Sequence, residues 1–443
     1  MGNCYRRPAQ EISDQLRYYA EVQLHVKSRD AGKGSDSTQA ILVRLVPPQS
    51  LSSETVRVGS TTLEVSACVM PGCDPVEGLG REGQDAVLVT STENGALVAL
   101  FDGHGKEGRK VVDFCKKWLL EHFQQHSEYF AECPEQAIVQ ACESCDAVVK
   151  QDLECLLSGT SAVLVFISEQ GVSVGSVGDA KAIVAALPSL TGAVPSKSST
   201  EESKRQSGPY RRILAPSRVL EPIQLTIDHQ PNHSEELQRI LEAGGRVSRL
   251  TDDAGNKVGP HRVWKKNGHK PGLAASRSLG DKMASELGVI PTPLTRRYEL
   301  KAGQDQFLVL ASDGVWYFPS RNVMTDQEVV NFVEKFRRQC LKSPTAKPAY
   351  PIRPANSVVS QLLCEEARYR WLGLVEEESV AIDDISCLVL ELDGTTAFPI
   401  DRTSDWQTPG RPQKPVPVQE GEEAIHFPKQ MDPLRQSIIL PPS

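Results

Sequence analysis

No stretch of this sequence approaches the run of about 20 apolar residues that crosses a bilayer as a helix. No apolar segment near the start has the form of a secretory signal. A basic excess is missing as well: 49 lysines and arginines stand against 57 aspartates and glutamates, for a formal net charge of -8. Such a chain lacks the overall positive face that binds phosphate backbones, which excludes nucleic acid as a general partner. A paired-cysteine framework is missing too. The 11 cysteines are scattered and odd in number, which fits reduced thiols in a cytoplasmic setting. Cys142 and Cys145 form one C-x-x-C within a helical pattern, but no second pair or nearby histidine completes a zinc site.

What is present begins at the first residues. Met1-Gly2-Asn3-Cys4 exposes a glycine once methionine is removed, with a cysteine two residues on. Gly2 as a myristoylation site and Cys4 as a palmitoylation site would supply the two lipid signals that stable anchoring needs. Arg6 and Arg7 beside them would attract anionic lipid. The expected location is therefore cytoplasmic, with peripheral attachment to the inner face of a membrane.

At 443 residues and 39% hydrophobic, the chain suits one large domain with extensions. Residues 1–60 read as an N-terminal extension and 396–443 as a Pro-rich tail, leaving 61–395 for the catalytic domain. Within that domain, apolar runs at 62–69, 85–90 and 96–101 read as strands, the last two joined by a hairpin at Glu93-Asn94-Gly95. Val111, Cys115, Trp118, Leu119 and Phe123 recur at helical spacing, and so do Ile138, Ala141, Cys145, Val148 and Val149. Strands return at 161–167, 172–177, 181–186, 307–311 and 385–392. Residues 188–212 are rich in Ser, Lys, Glu and Pro and read as a flexible insertion. Strand runs separated by two helical blocks predict an α+β fold, an antiparallel β-sandwich flanked by helices on both sides.

Acidic residues recur at the ends of the apolar strands. Asp85 precedes 86–89, Asp102 follows 97–101, Asp313 follows 307–311 after one serine, and Asp383-Asp384 precede 385–389. Neighbouring antiparallel strands bring the end of one beside the start of the next, so these carboxylates can meet. Converging negative charge needs a cation, and hard carboxylate oxygens without a histidine cluster suit Mg²⁺ or Mn²⁺. Each Asp-Gly alone is ordinary turn chemistry; the whole set is not, because turns do not require an acid each time. His104, between two glycines and two residues after Asp102, is placed for proton donation near neutral pH.

At these residues the sequence resembles the metal-dependent serine/threonine protein phosphatases of type 2C. The resemblance rests on Phe101-Asp102-Gly103-His104-Gly105, Val177-Gly178-Asp179, Asp228-His229-Gln230-Pro231 and Gly244-Gly245-Arg246-Val247. It continues through the run from Pro271 to Asp281, Ala311-Ser312-Asp313-Gly314-Val315-Trp316 and Asp383-Asp384-Ile385-Ser386, all in order. It implies two Mg²⁺ or Mn²⁺ ions, with Asp102 bridging them, Asp85 and the Gly103 carbonyl on one side, and Asp313 and Asp383 on the other. A hydroxide between the ions would attack phosphorus in line, His104 would protonate the leaving oxygen, and Arg81 would grip the phosphate. The expected partners are phosphorylated proteins, acted on by a monomer. Asp179 would serve a third ion, but its usual partner position holds Tyr317, which makes that ion doubtful and leaves a weakly catalytic, binding role as the alternative. Residues 246–271 would form a flap beside the site. Asp228, His229 and Arg277 are expected to brace loops, while His261, Trp264 and the flap lysines are candidates for contact with substrate protein.

Overall fold

The computed structural model describes residues 21–27, 38–44, 49–74, 79–80, 82–188, 219–252, 255–318, 321–342, 359–378 and 381–392. Gly2, Cys4, Arg81, residues 189–218 (which include all of the insertion but its first residue) and the tail lie outside the described residues.

Two antiparallel sheets stack face to face. The first orders its strands Leu294–Tyr298, Gly171–Val177, Gly159–Ser168, Gly95–His104 and Ala86–Thr92, with Leu279–Gly280 paired onto Gly159–Ser168. The second runs Glu221–Gln224, Lys181–Ala186, Asp305–Ala311, Ile385–Glu391, Thr61–Met70 and Gln49–Val58. Between them lies one aliphatic layer, including Val65, Val98, Leu100, Val165, Val184, Leu308 and Leu390. Each such side chain contributes about 1.5–3 kcal/mol when fully buried, so this layer outweighs the surface ion pairs, at about 0–1 kcal/mol each.

Helices cover both outer faces. Gly108–Gln125 buries Val111, Cys115, Leu119 and Phe123, spaced four apart on one stripe. That stripe packs with Pro134–Asp152 against Leu97, Phe101 and Phe166 of the first sheet. Cys142 and Cys145 both lie buried on the second of these helices, Cys145 on the stripe that its periodicity predicts. On the opposite face, Asp326–Lys342 and Val359–Glu378 bring Val329, Val333, Leu363 and Trp371 onto Phe307, Val309 and Cys387. The α-β-β-α order is the one read from the sequence.

One boundary changes. The core sheet begins at Gln49, inside the stretch assigned to the extension, because Gln49–Val58 pairs with Thr61–Met70. Val56 and Val58 alternate with exposed Thr55 and Arg57, and the turn between the strands uses Gly59 at a φ of 56°. Farther out, Glu21–Lys27 and Thr38–Arg44 pair as an antiparallel hairpin. The region expected to form a flap is a small sheet of its own: Gly245–Thr251, Lys257–Lys265 and Pro271–Leu273. It is held to the body by Val247 and Val263 packing with Ile240 and Leu287.

Candidate functional site

The strand ends converge as their sequence positions predict. Ala86 pairs with Phe101, which sets Asp85 beside Asp102 at one end of the first sheet. Ala311 pairs with Cys387, which sets Asp313 beside the Asp383-Asp384 pair at an end of the second. Asp179 occupies the link where the chain leaves strand Gly171–Val177 of the first sheet for Lys181–Ala186 of the second.

These groups feel one another's charge. Burial pushes the Asp102 carboxyl well up, and the charges of Asp85, Asp313, Asp179 and Asp383 push it the same way. Asp313 is raised by burial and then by Asp383, Asp179 and Asp85. Asp85 is raised by burial and by Asp384 and Asp383. It is only 1% exposed, and neither of its carboxylate oxygens finds a hydrogen-bond partner. A buried carboxylate without a partner costs several kcal/mol, roughly, unless a cation or proton meets it.

That orphaned pair of oxygens, set among acids and not imidazoles or thiols, fits a hard divalent cation. Among the described residues no three acidic, histidine or cysteine side chains close on one point by themselves. An ion such as Mg²⁺ retains several waters and needs only one or two carboxylates directly, so a loosely gathered set suits it.

The Asp383-Asp384 pair divides its work. Asp384 accepts from the backbone N–H of Gly72 (2.5 Å) and of Gln84 (2.6 Å), clasping three chain segments together. Asp383 is the member whose charge reaches Asp102, Asp313 and Asp179. Gly103 lets the backbone of its strand approach closely: a β-carbon there would lie 2.7 Å from the Gln84 carbonyl oxygen. Gly105, directly after His104, takes a φ of 81°, a backbone turn that favours glycine.

His104 has a partner that its sequence position did not reveal. Its Nε2 lies 2.6 Å from Oδ2 of Asp281, a buried residue held in the left-handed region at φ 43°. The same oxygen accepts from Ser278 Oγ at 2.6 Å. Desolvation pulls the imidazole down, but the Asp281 carboxylate outweighs it and leaves His104 above its ordinary value. Gly280-Asp281 closes a recognisable motif, yet nothing in linear spacing joins it to His104, 177 positions away.

Two of the three residues expected to brace loops, His229 and Arg277, make bracing contacts, while Asp228 Oδ1 is buried without a hydrogen-bond partner. His229 Nδ1 donates to the Gly178 carbonyl at 3.0 Å, steadying the link that carries Asp179. Arg277 pairs with Glu236 at 2.7 Å and donates to Thr292 O. Lys181 lies 3.3 Å from Asp326 and over the Trp316 ring at 5.0 Å. Trp264, a candidate for substrate contact, is 1% exposed and donates to Ser248 O, so it is part of the flap's own core. Tyr317 is 37% exposed; its phenol is pushed up by burial and feels the charges of Arg249, Asp313, Asp179 and Arg262. Arg249 and Arg262 are site-side residues that the sequence reading passed over.

The sequence profile described as protein phosphatase 2C matches residues 81–188 and 211–368. Probable protein phosphatase 2C 61 of Arabidopsis thaliana is 30% identical over 328 residues, spanning 71% of this chain and 81% of that one. Probable protein phosphatase 2C 12 of Oryza sativa subsp. japonica is 34% identical over 363 residues, spanning 71% and 79%. Among solved structures, a serine-threonine phosphatase 2C from Toxoplasma gondii superposes with a TM-score of 0.54 at 16% identity, covering 78% of this chain and 99% of that one. A C. elegans sex determining protein gives 0.52 at 19%, covering 74% and 65%. At these identities the two structures speak to the fold.

Proposed function

The chain belongs to the protein phosphatase 2C family, and from that premise we propose that it removes phosphate from serine and threonine of proteins in a metal-assisted reaction with His104 as general acid. The observation that carries this reading is that Asp85, Asp102, Asp179, Asp313 and Asp383, at the strand ends where the two sheets meet, lie close enough for the first four each to be disfavoured by the charge of others in the set. Asp102, central to the cluster, would serve two ions, with Asp85 and the Gly103 carbonyl on one side and Asp313 and Asp383 on the other. When bound, Mg²⁺ or Mn²⁺ neutralises this charge, polarises the phosphate and makes water acidic enough to attack it near neutral pH.

The chain's own groups do the rest. Asp384 holds the loops of Gly72 and Gln84 in place. Asp281 engages His104 Nε2, orients the ring and favours its protonated form. The other ring nitrogen then delivers its proton to the departing serine or threonine oxygen. Asp179 feels the charge of His104, and Tyr317 feels that of Asp179; the position that would supply a second carboxylate for a third ion is Tyr317. That substitution favours a second reading, a phosphatase-shaped protein with weak turnover. Gly2 and Cys4 are proposed lipid attachment points that would hold a cytoplasmic monomer to a membrane, and Arg81 a phosphate ligand.

The deciding experiment is an assay of the purified chain with Mn²⁺ on a phosphothreonine peptide. Turnover that disappears with a chelator and in Asp102→Ala is expected. A rate no higher than that of the Asp102→Ala control would overturn the enzymatic reading and favour the weakly catalytic one.

A further inference from the structure

Between Gly245 and Leu273 the chain carries seven lysines and arginines against two aspartates, although its overall formal charge is -8. Folding concentrates these cations on the small flap sheet and grades them by depth. Arg249 and Arg262 lie at the inner end: both charges are felt at Tyr317, and that of Arg262 at His104 as well. Each is steadied by a backbone carbonyl, Arg249 Nε by Gly259 O at 2.8 Å and Arg262 by Gly272 O at 2.7 Å. Arg262 Nε is buried with no hydrogen-bond partner. At the outer end Lys265, Lys266 and Lys270 are exposed, and no acid pairs with them among the described residues.

A rim of like charge repels itself and gains nothing for folding. This one is also rigidly mounted, through buried Trp264 and the packing of Val247 and Val263 on Ile240 and Leu287. We propose that the flap is a docking surface for acidic peptide, so that phosphoserine and phosphothreonine flanked by Asp or Glu are the preferred substrates. The proposal rests on the phosphatase reading for its setting. A peptide fits better than a flat anionic surface because the cations run from the protein's exterior down to the mouth that His104 and Tyr317 line.

The test compares two phosphothreonine peptides that differ only in three flanking residues, glutamate in one and glutamine in the other, with the full chain and Mn²⁺. The glutamate peptide should show kcat/KM higher by about tenfold at low salt, as expected for two or three rim charge pairs acting together. The ratio should fall toward one at roughly 0.5 M salt, where screening is strong. Combined Lys265→Glu, Lys266→Glu and Lys270→Glu should abolish or invert the preference, with an unchanged melting temperature as the folding control. Equal values in the unmodified chain, or a preference that survives the triple substitution, overturn the proposal. So does binding to phosphatidylserine vesicles that needs the three lysines while the peptides remain indistinguishable. If no peptide turns over, fluorescence anisotropy of the same two peptides reads the ratio directly, so loss of the phosphatase reading leaves this test decisive.

Discussion

His104 and Asp281 act as a pair in which the second member positions the first. Their 2.6 Å contact joins a half-buried imidazole to a carboxylate that is 3% exposed, and it favours the protonated ring. Removing the carboxylate while keeping its shape should therefore impair proton delivery and leave substrate binding intact. Asparagine tolerates the left-handed backbone at this position, so Asp281→Asn is expected to fold. We expect it to lower kcat by about tenfold or more with KM little changed, the usual scale for loss of an orienting partner. His104→Ala should lower kcat further, and the double variant should be no worse than His104→Ala alone. Additive losses would show that Asp281 acts elsewhere, for instance through Ser278. The measurement is steady-state kinetics on a phosphothreonine peptide with saturating Mn²⁺.

The elements were legible in the sequence where apolar periodicity was strong, and the site was legible where acids marked strand ends. Asp85 and Asp102 could be placed together because a short hairpin leaves one register. Gln49–Val58 escaped notice because only Val56 and Val58 carry its alternation, and a polar stretch precedes them. Asp383 and Asp384 are chemically identical neighbours; only their partners separate clasp from cluster. Helix Ser234–Glu242 illustrates a tertiary role that spacing hides. Burial alone would raise its Glu236, but Arg239, Arg277 and Ser276 outweigh burial and hold the carboxyl well below its ordinary range. A depressed folded value means that this contribution is complete above the unfolded value of about 4.3 and fades as pH falls through the folded one. Glu236→Gln should cost about 2 kcal/mol at pH 7, since it removes the charge from a buried pair. Below about pH 4 the gap between variant and parent should narrow. Urea melts at both pH values check this, and a gap that widens on acidification would contradict it.

At the scale of the molecule, the site is where the two halves of the sandwich are joined by charge. Asp85 and Asp102 belong to the first sheet, Asp313 and Asp383 to the second, and Asp179 to the crossover between them. The aliphatic layer holds the sheets together along their length, but at this end they present carboxylates to one another, each disfavoured by burial and by its neighbours. A cation shared across that end, as proposed above, would replace repulsion with attraction and tie the sheets to each other. Metal binding should therefore stabilise the whole fold cooperatively, and not merely order a loop. With Mn²⁺ at about a hundred times its dissociation constant, the gain is about 2.7 kcal/mol per site, visible as a higher melting temperature by calorimetry. Asp85→Asn tests the cause. It removes one negative charge from the most deeply buried member of the cluster, so the metal-free variant should melt above the metal-free parent. Because the same change removes a ligand, its melting temperature should rise less on adding Mn²⁺, so that the order of the two proteins reverses when metal is present. A parent protein indifferent to Mn²⁺, or a variant destabilised both with and without it, would mean that these carboxylates are held by something other than a shared cation.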